Sequence, residues 1–148
     1  MIKYCYERWD QNKDELRKVI QGDRAMNSCD YKYLVELVTK YILGSDWDSD
    51  GITEIDNGDY QGTLLFLIPK ITYQPSANEY LMTFVEYGSC CGCDTLQGIQ
   101  VLRDWDTSLP TEQQVSAFMS LCRDIVTNMI KPYNQGWRYE SEFDTIDF

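Results

Sequence analysis

The chain has 148 residues, 43% apolar and 14% aromatic, with a net charge of −11, a make-up that fits one globular domain and excludes a disordered or fibrous chain. The charge is uneven: residues 1–40 carry eight Lys or Arg against seven Asp or Glu, whereas residues 41–148 carry five against seventeen. Such a field repels phosphate backbones, which speaks against direct nucleic-acid binding, and attracts basic protein surfaces, although acids also serve plain solubility.

Met1 to Arg8 carries charges where a signal peptide needs an apolar core. The longest apolar run, Leu64 to Ile68, is far shorter than a membrane span. The expectation is a cytoplasmic protein with one domain over residues 1–148 and no membrane partner. In a reducing compartment its six cysteines should be thiols or metal ligands, not disulfides.

In chain order, the spacing predicts a short helix over residues 12–20, with Leu16, Val19 and Ile20 on one side and Gly22 beyond its end. Asp30 is placed to cap a second helix reaching Leu43, where Leu34, Leu37, Val38, Tyr41 and Ile42 recur at helical intervals and Gly44 supplies the stop. After an acidic loop, residues 52–56 suit a short strand followed by the turn dipeptide Asn57-Gly58. Residues 62–68 are apolar at successive positions, the pattern of a central strand covered on both faces. Pro69 and Pro75 break the chain before a third strand, residues 80–87.

A helix should follow from Thr95 to about Arg103, capped by Asp94, with Leu96, Ile99 and Leu102 inward. Thr111 and Gln114 form a capping-box pattern before the last helix. Its stripe of Val115, Phe118, Met119, Cys122, Ile125, Val126, Met129 and Ile130 is core rather than groove. The tail, residues 139–148, holds four acids and no base, and suits fraying or docking. The fold class that follows is α+β, a small antiparallel sheet of about three strands covered by N-terminal and C-terminal helices.

Histidine is absent, which removes the commonest general base and every His-containing nucleophile or zinc arrangement. No glycine-rich phosphate loop replaces it. Carboxylate pairs such as Asp104 with Asp106 are plentiful, but no catalytic pair is assigned, and the reading leans away from an enzyme.

Two local patterns carry chemistry. Cys90 and Cys93 form a C-x-x-C at a predicted strand-to-helix junction, where exposed N–H groups favour a thiolate for redox work or for ligating zinc. Asp94 beside Cys93 opposes that, the surroundings are not βαβ, and small thiols packing a tight turn are the plain alternative. Asp46, Asp48 and Asp50 before Gly51 reproduce the D-x-D-x-D-G opening of a calcium loop, with Glu54 at the ninth position. The twelfth is Asn57 instead of Glu, and an exposed acidic loop is the rival reading.

Gly58-Asp59-Tyr60-Gln61-Gly62-Thr63, Tyr87-Gly88-Ser89-Cys90-Cys91-Gly92-Cys93-Asp94 and Ile130-Lys131-Pro132-Tyr133-Asn134 together resemble a group of small acidic proteins of tailed bacteriophages. The resemblance covers about residues 50–138. It implies a phage origin and brings no activity and no catalytic residues. In that pattern the position of Cys91 is usually small and polar, which leaves Cys90 and Cys93 as the meaningful pair.

Small acidic phage proteins often occupy a basic groove on a host protein, as anti-restriction and anti-CRISPR proteins do. The leading expectation is therefore a non-enzymatic binding protein acting on a nucleic-acid-handling host factor. Asp46, Asp48, Asp50, Glu54, Asp56, Asp59 and the acidic tail would form its contact surface. The rivals are a metal- or thiol-dependent protein centred on Cys90 and Cys93, and a binder of a signalling nucleotide with Lys70 or Arg103 in its pocket. One contiguous acidic face would favour the first.

Overall fold

The first helix, α1, spans Lys3–Gln21 and starts well before residue 12. Cys5 and Trp9 extend the buried face of Leu16 and Ile20 by whole turns, a continuation that the charges at Lys3, Glu7, Arg8 and Asp10 obscure in the sequence. A computed structural model describes residues 2–59 and 61–131; the predicted tail at 139–148 lies outside the described residues.

Helix α2 spans Tyr31–Val38, and the Asp30 carboxylate accepts the Tyr33 N–H at 2.9 Å, the predicted cap. The helix does not run unchanged to Leu43. Thr39–Leu43 forms a π-turn in which the Gly44 N–H reaches back to the Thr39 carbonyl at 3.0 Å. The Thr39 hydroxyl meanwhile donates to the Val35 carbonyl at 2.7 Å. Gly44 ends the element at φ 98°, a value that suits glycine. Helix α1 packs on this turn, and Asn12 Nδ2 donates to the Ile42 carbonyl at 2.9 Å.

Strands β1 (Thr53–Asp56), β2 (Gly62–Pro69) and β3 (Tyr80–Tyr87) form an antiparallel sheet in the order β1-β2-β3. The register sets Asp56 opposite Leu64, and Leu64 opposite Val85. Strand β2 is central as expected, but among the described residues it is covered on one face only. Phe66 and Ile68 are buried, whereas Leu65 and Leu67 on the other face are half-buried and Ile55 and Phe84 beside them are exposed.

Helix α3 covers Thr95–Gln100 and stops short of Arg103, whose Nε donates to the Gln100 carbonyl at 2.8 Å. Leu96 and Ile99 are buried, but Leu102 lies beyond the helix and is 49% exposed. Helix α4 covers Glu112–Thr127 and has the predicted capping box, with Thr111 and Gln114 exchanging two bonds of 3.1 Å. Its stripe outlasts the helix: Met129 stays buried, while Ile130 exchanges two 2.8 Å backbone bonds with Met82 on the outer side of β3.

Helix α4 packs against α1, α2, α3 and β3. The Gln114 amide is fully buried at that junction, donating to Asn27 Oδ1 at 2.8 Å and to the Ile99 carbonyl at 3.0 Å. The Thr83 hydroxyl ties β3 to α4 through the Ile125 carbonyl at 2.6 Å. The molecule is an α+β protein with its helices on one face of a three-stranded sheet.

Candidate functional site: an acidic edge and a two-thiol loop

The acids singled out in the sequence fall in three places along the sheet. Asp46 and Asp48 lie at the Pro69 end, where the Asp48 N–H donates to the Pro69 carbonyl at 2.9 Å and the Ile71 N–H to the Asp46 carbonyl at 2.8 Å. Asp56 and Asp59 lie at the opposite end, beside the start of β2. Glu54 stands between, on β1, whose four residues are all exposed. Alternation along the strand sends Glu54 and Asp56 to the same side.

Glu54 and Asp56 line a cleft of about 370 Å³ together with Asp30 from the α2 cap and Asp94 from the α3 cap. Tyr31, Tyr87 and Leu64 supply its apolar wall, and among the described residues no basic side chain lines it. The Tyr87 hydroxyl donates to Asp56 Oδ1 at 2.6 Å and the Gly58 N–H to the same atom at 3.0 Å. Those two donors hold the Asp56 carboxyl below its ordinary range, and the bond to Asp56 pushes Tyr87 up to about 12.

Asp46, Asp48 and Asp50 do not join this cleft. Asp48 Oδ1 accepts the Asp50 N–H at 3.0 Å, so the loop closes on its own backbone. A Cβ on Gly51 would stand 2.6 Å from Asp48 Oδ2 and 3.1 Å from the Pro69 ring, so a larger residue there would displace the Asp48 carboxylate. Among the described residues, no three His, Cys, Asp or Glu side chains come together in a group suited to a metal ion.

The predicted C-x-x-C forms a closed loop at the end of β3. The N–H groups of Cys93 and Asp94 both donate to the Cys90 carbonyl, at 3.1 and 2.8 Å. Cys90 Sγ and Cys93 Sγ lie 2.8 Å apart, both residues are exposed, and Cys93 Sγ also accepts the Cys90 N–H at 3.1 Å. The Cys90 thiol, then the Cys90 backbone N–H, hold Cys93 below the ordinary thiol range.

Asp94 does not act as the sequence suggests. It turns inward, only 5% exposed, and its carboxylate accepts from the Gly88 N–H at 3.0 Å, the Tyr31 hydroxyl at 3.1 Å and the Gln97 N–H at 2.9 Å. It is the clasp of the loop, joining β3, α2 and α3. Gly88 fits the same clasp, since a Cβ there would overlap the Cys93 carbonyl. Cys91 is exposed like the pair, whereas the other three cysteines differ. Cys5 and Cys122 are buried and Cys29 is half-buried, and burial pushes all three up to about 12.

Arg103 lines a second cavity, of about 420 Å³, with Arg24, Ser108 and Trp105. The Arg103 guanidinium stacks 4.9 Å from the centre of the Trp105 ring, which is 82% exposed. Lys70 is elsewhere, bridged to Trp47 across the sheet end. Sequence reasoning missed the cleft residues Asp30, Tyr31, Tyr87 and Asp94 as a set. The two predicted caps were the available signal, because a cap fixes where a carboxylate must stand.

Among the described residues, no helix is long and apolar enough to cross a membrane. Comparison with protein-family models, with curated proteins and with solved structures returns no match.

Proposed function

We propose that the chain is a non-enzymatic acidic binding protein that occupies a basic, nucleic-acid-binding groove on a partner protein. One observation carries this reading. The exposed acids Asp46, Glu54, Asp56 and Asp59 run from the Pro69 end of the sheet along β1 to its other end, Asp50 standing apart beside Lys40, and none of the five has an ion-pair partner among the described residues. Both ion pairs there, Lys3–Glu7 and Lys13–Asp10, lie in α1. Carboxylates left without bases keep their field for an incoming cationic surface. The resemblance to small acidic phage proteins supports a role as a host-defence inhibitor of the anti-restriction or anti-CRISPR kind, working in the host cytoplasm as a nucleic-acid mimic.

The test is affinity capture from bacterial lysate at low and high salt, followed by competition between this protein and duplex DNA on the captured partner. Binding should weaken steeply with salt and exclude the DNA, because salt screens exposed charges over about 8 Å at physiological strength. A partner that ignores salt and keeps its nucleic acid overturns the reading.

A second reading rests on the cavity that Arg24, Arg103 and Trp105 line together with Asp104 and Asp106, where the two guanidinium groups and the exposed indole suit the phosphate and base of a nucleotide and the two carboxylates oppose the phosphate. Quenching of Trp105 fluorescence by a cyclic dinucleotide, lost in Arg103→Ala, would support it. Fluorescence unchanged by nucleotide removes it.

A further inference from the structure

Cys90 and Cys93 are a close pair of exposed thiols that the acidic-binding reading does not use. Their sulfurs are 2.8 Å apart, and a disulfide needs about 2 Å, so a movement of about 1 Å closes the bond. The backbone already holds both ends. The Cys90 carbonyl is tied to the N–H groups of Cys93 and Asp94, and the buried Asp94 carboxylate fastens Gly88 and the start of α3. Both thiols are exposed, so a small molecule reaches them without unfolding. Cys91 is exposed as well, but the turn brings Cys93 and not Cys91 to Cys90.

We propose that Cys90 and Cys93 are a redox-active dithiol that closes to an intramolecular disulfide by exchange with a low-molecular-mass disulfide such as oxidised glutathione. Cys93, whose sulfur accepts the Cys90 N–H, attacks one sulfur of the small disulfide as a thiolate. The S–S bond of that molecule breaks, one small thiol leaves, and a mixed disulfide remains on Cys93. Cys90 then gives its proton to solvent and attacks Cys93 Sγ, forming the Cys90–Cys93 bond and expelling the second small thiol. Two electrons and two protons pass from the protein to the small disulfide, which departs as two thiols.

The experiment exposes the full chain to glutathione buffers of set ratio, quenches with acid, alkylates, and reads intact mass and peptide maps. The native chain should lose the mass of two hydrogens, with Cys90 and Cys93 protected, Cys91 alkylated, and dithiothreitol restoring the starting mass. Closed disulfide should exceed mixed adduct by roughly tenfold, because the second step is intramolecular. Cys90→Ser should halt at a glutathione adduct on Cys93, and Cys91→Ser should close as the native chain does. A lasting adduct on the native chain, equal participation of Cys91, or closure only in denaturant overturns the proposal. A stoichiometric metal that survives native mass spectrometry and blocks alkylation of both thiols overturns it in favour of a metal site.

Discussion

The helical half and the sheet edge of this protein use polar groups in opposite ways. In the helices, polar groups are matched: the buried Gln114 amide bonds Asn27 and Ile99 at the α4 junction, and both described ion pairs lie on the exposed surface of α1. Along β1, acids face outward without bases. The loop at residues 88–94 joins the two habits, with Asp94 clasped inside and Cys90 and Cys93 presented outside. Stability and surface chemistry are thus carried by different residues, which makes them separable by mutation.

The largest effect should come from the helical half. Phe118→Ala removes a fully buried ring and should cost about 3–5 kcal/mol in denaturant unfolding. Gln114→Ala should cost about 1–3 kcal/mol, since it strands the Asn27 side chain and the Ile99 carbonyl and opens the α4 cap. Asp94→Asn should cost about 1–2 kcal/mol, because an amide cannot accept from Gly88, Tyr31 and Gln97 with both of its ends. A loss as large as that of Phe118→Ala would place the clasp inside the stability core and blur the division.

Alkaline titration probes the boundary between the halves. Tyr31 and Tyr87, each bonded to an aspartate, are pushed from 10 to about 12, Tyr31 chiefly by burial and Tyr87 chiefly by Asp56. The folded state therefore holds protons that the unfolded chain has released. Their contribution is complete below pH 10 and is lost as pH rises through about 12. Melting temperature should fall across that window, and Tyr87→Phe should remove its share of the slope.

The smallest effect on stability should come from reversing the edge. Asp46→Lys, Glu54→Lys and Asp59→Lys should each stay within about 0.5 kcal/mol, while together flattening the salt dependence of partner binding. Melting shifts as large as those of the core variants would mean that the acids are structural and not a contact surface.

Much of the fold was legible because local chemistry determined it. The Asp30 cap, the Thr111 and Gln114 box, the Gly44 stop and the third strand at 80–87 each depend on residues within one or two turns. What escaped depended on distant partners. The early start of α1 needs the core that Cys5 and Trp9 enter, and the half-open face of β2 depends on where the helices gather. At the candidate site, the sequence located the dithiol and the acids. It could not tell that Asp94 turns inward, because Tyr31, which helps to hold it there, comes from a distant part of the chain.

The two rims of the sheet are also unlike. Ile130 pairs with Met82 along β3, but among the described residues no strand pairs with the outer side of β1. A bare rim with Ile55 on it, 45% exposed, is a template on which a second chain can stack edge to edge. Glu54 and Asp56 flank Ile55 on that strand, and like charges meeting across such a stack repel. The acids that the proposed function assigns to a basic partner would therefore also act as gatekeepers against self-assembly. Neutralising them as Glu54→Gln and Asp56→Asn, instead of reversing them, should leave a folded monomer that clouds with time and concentration.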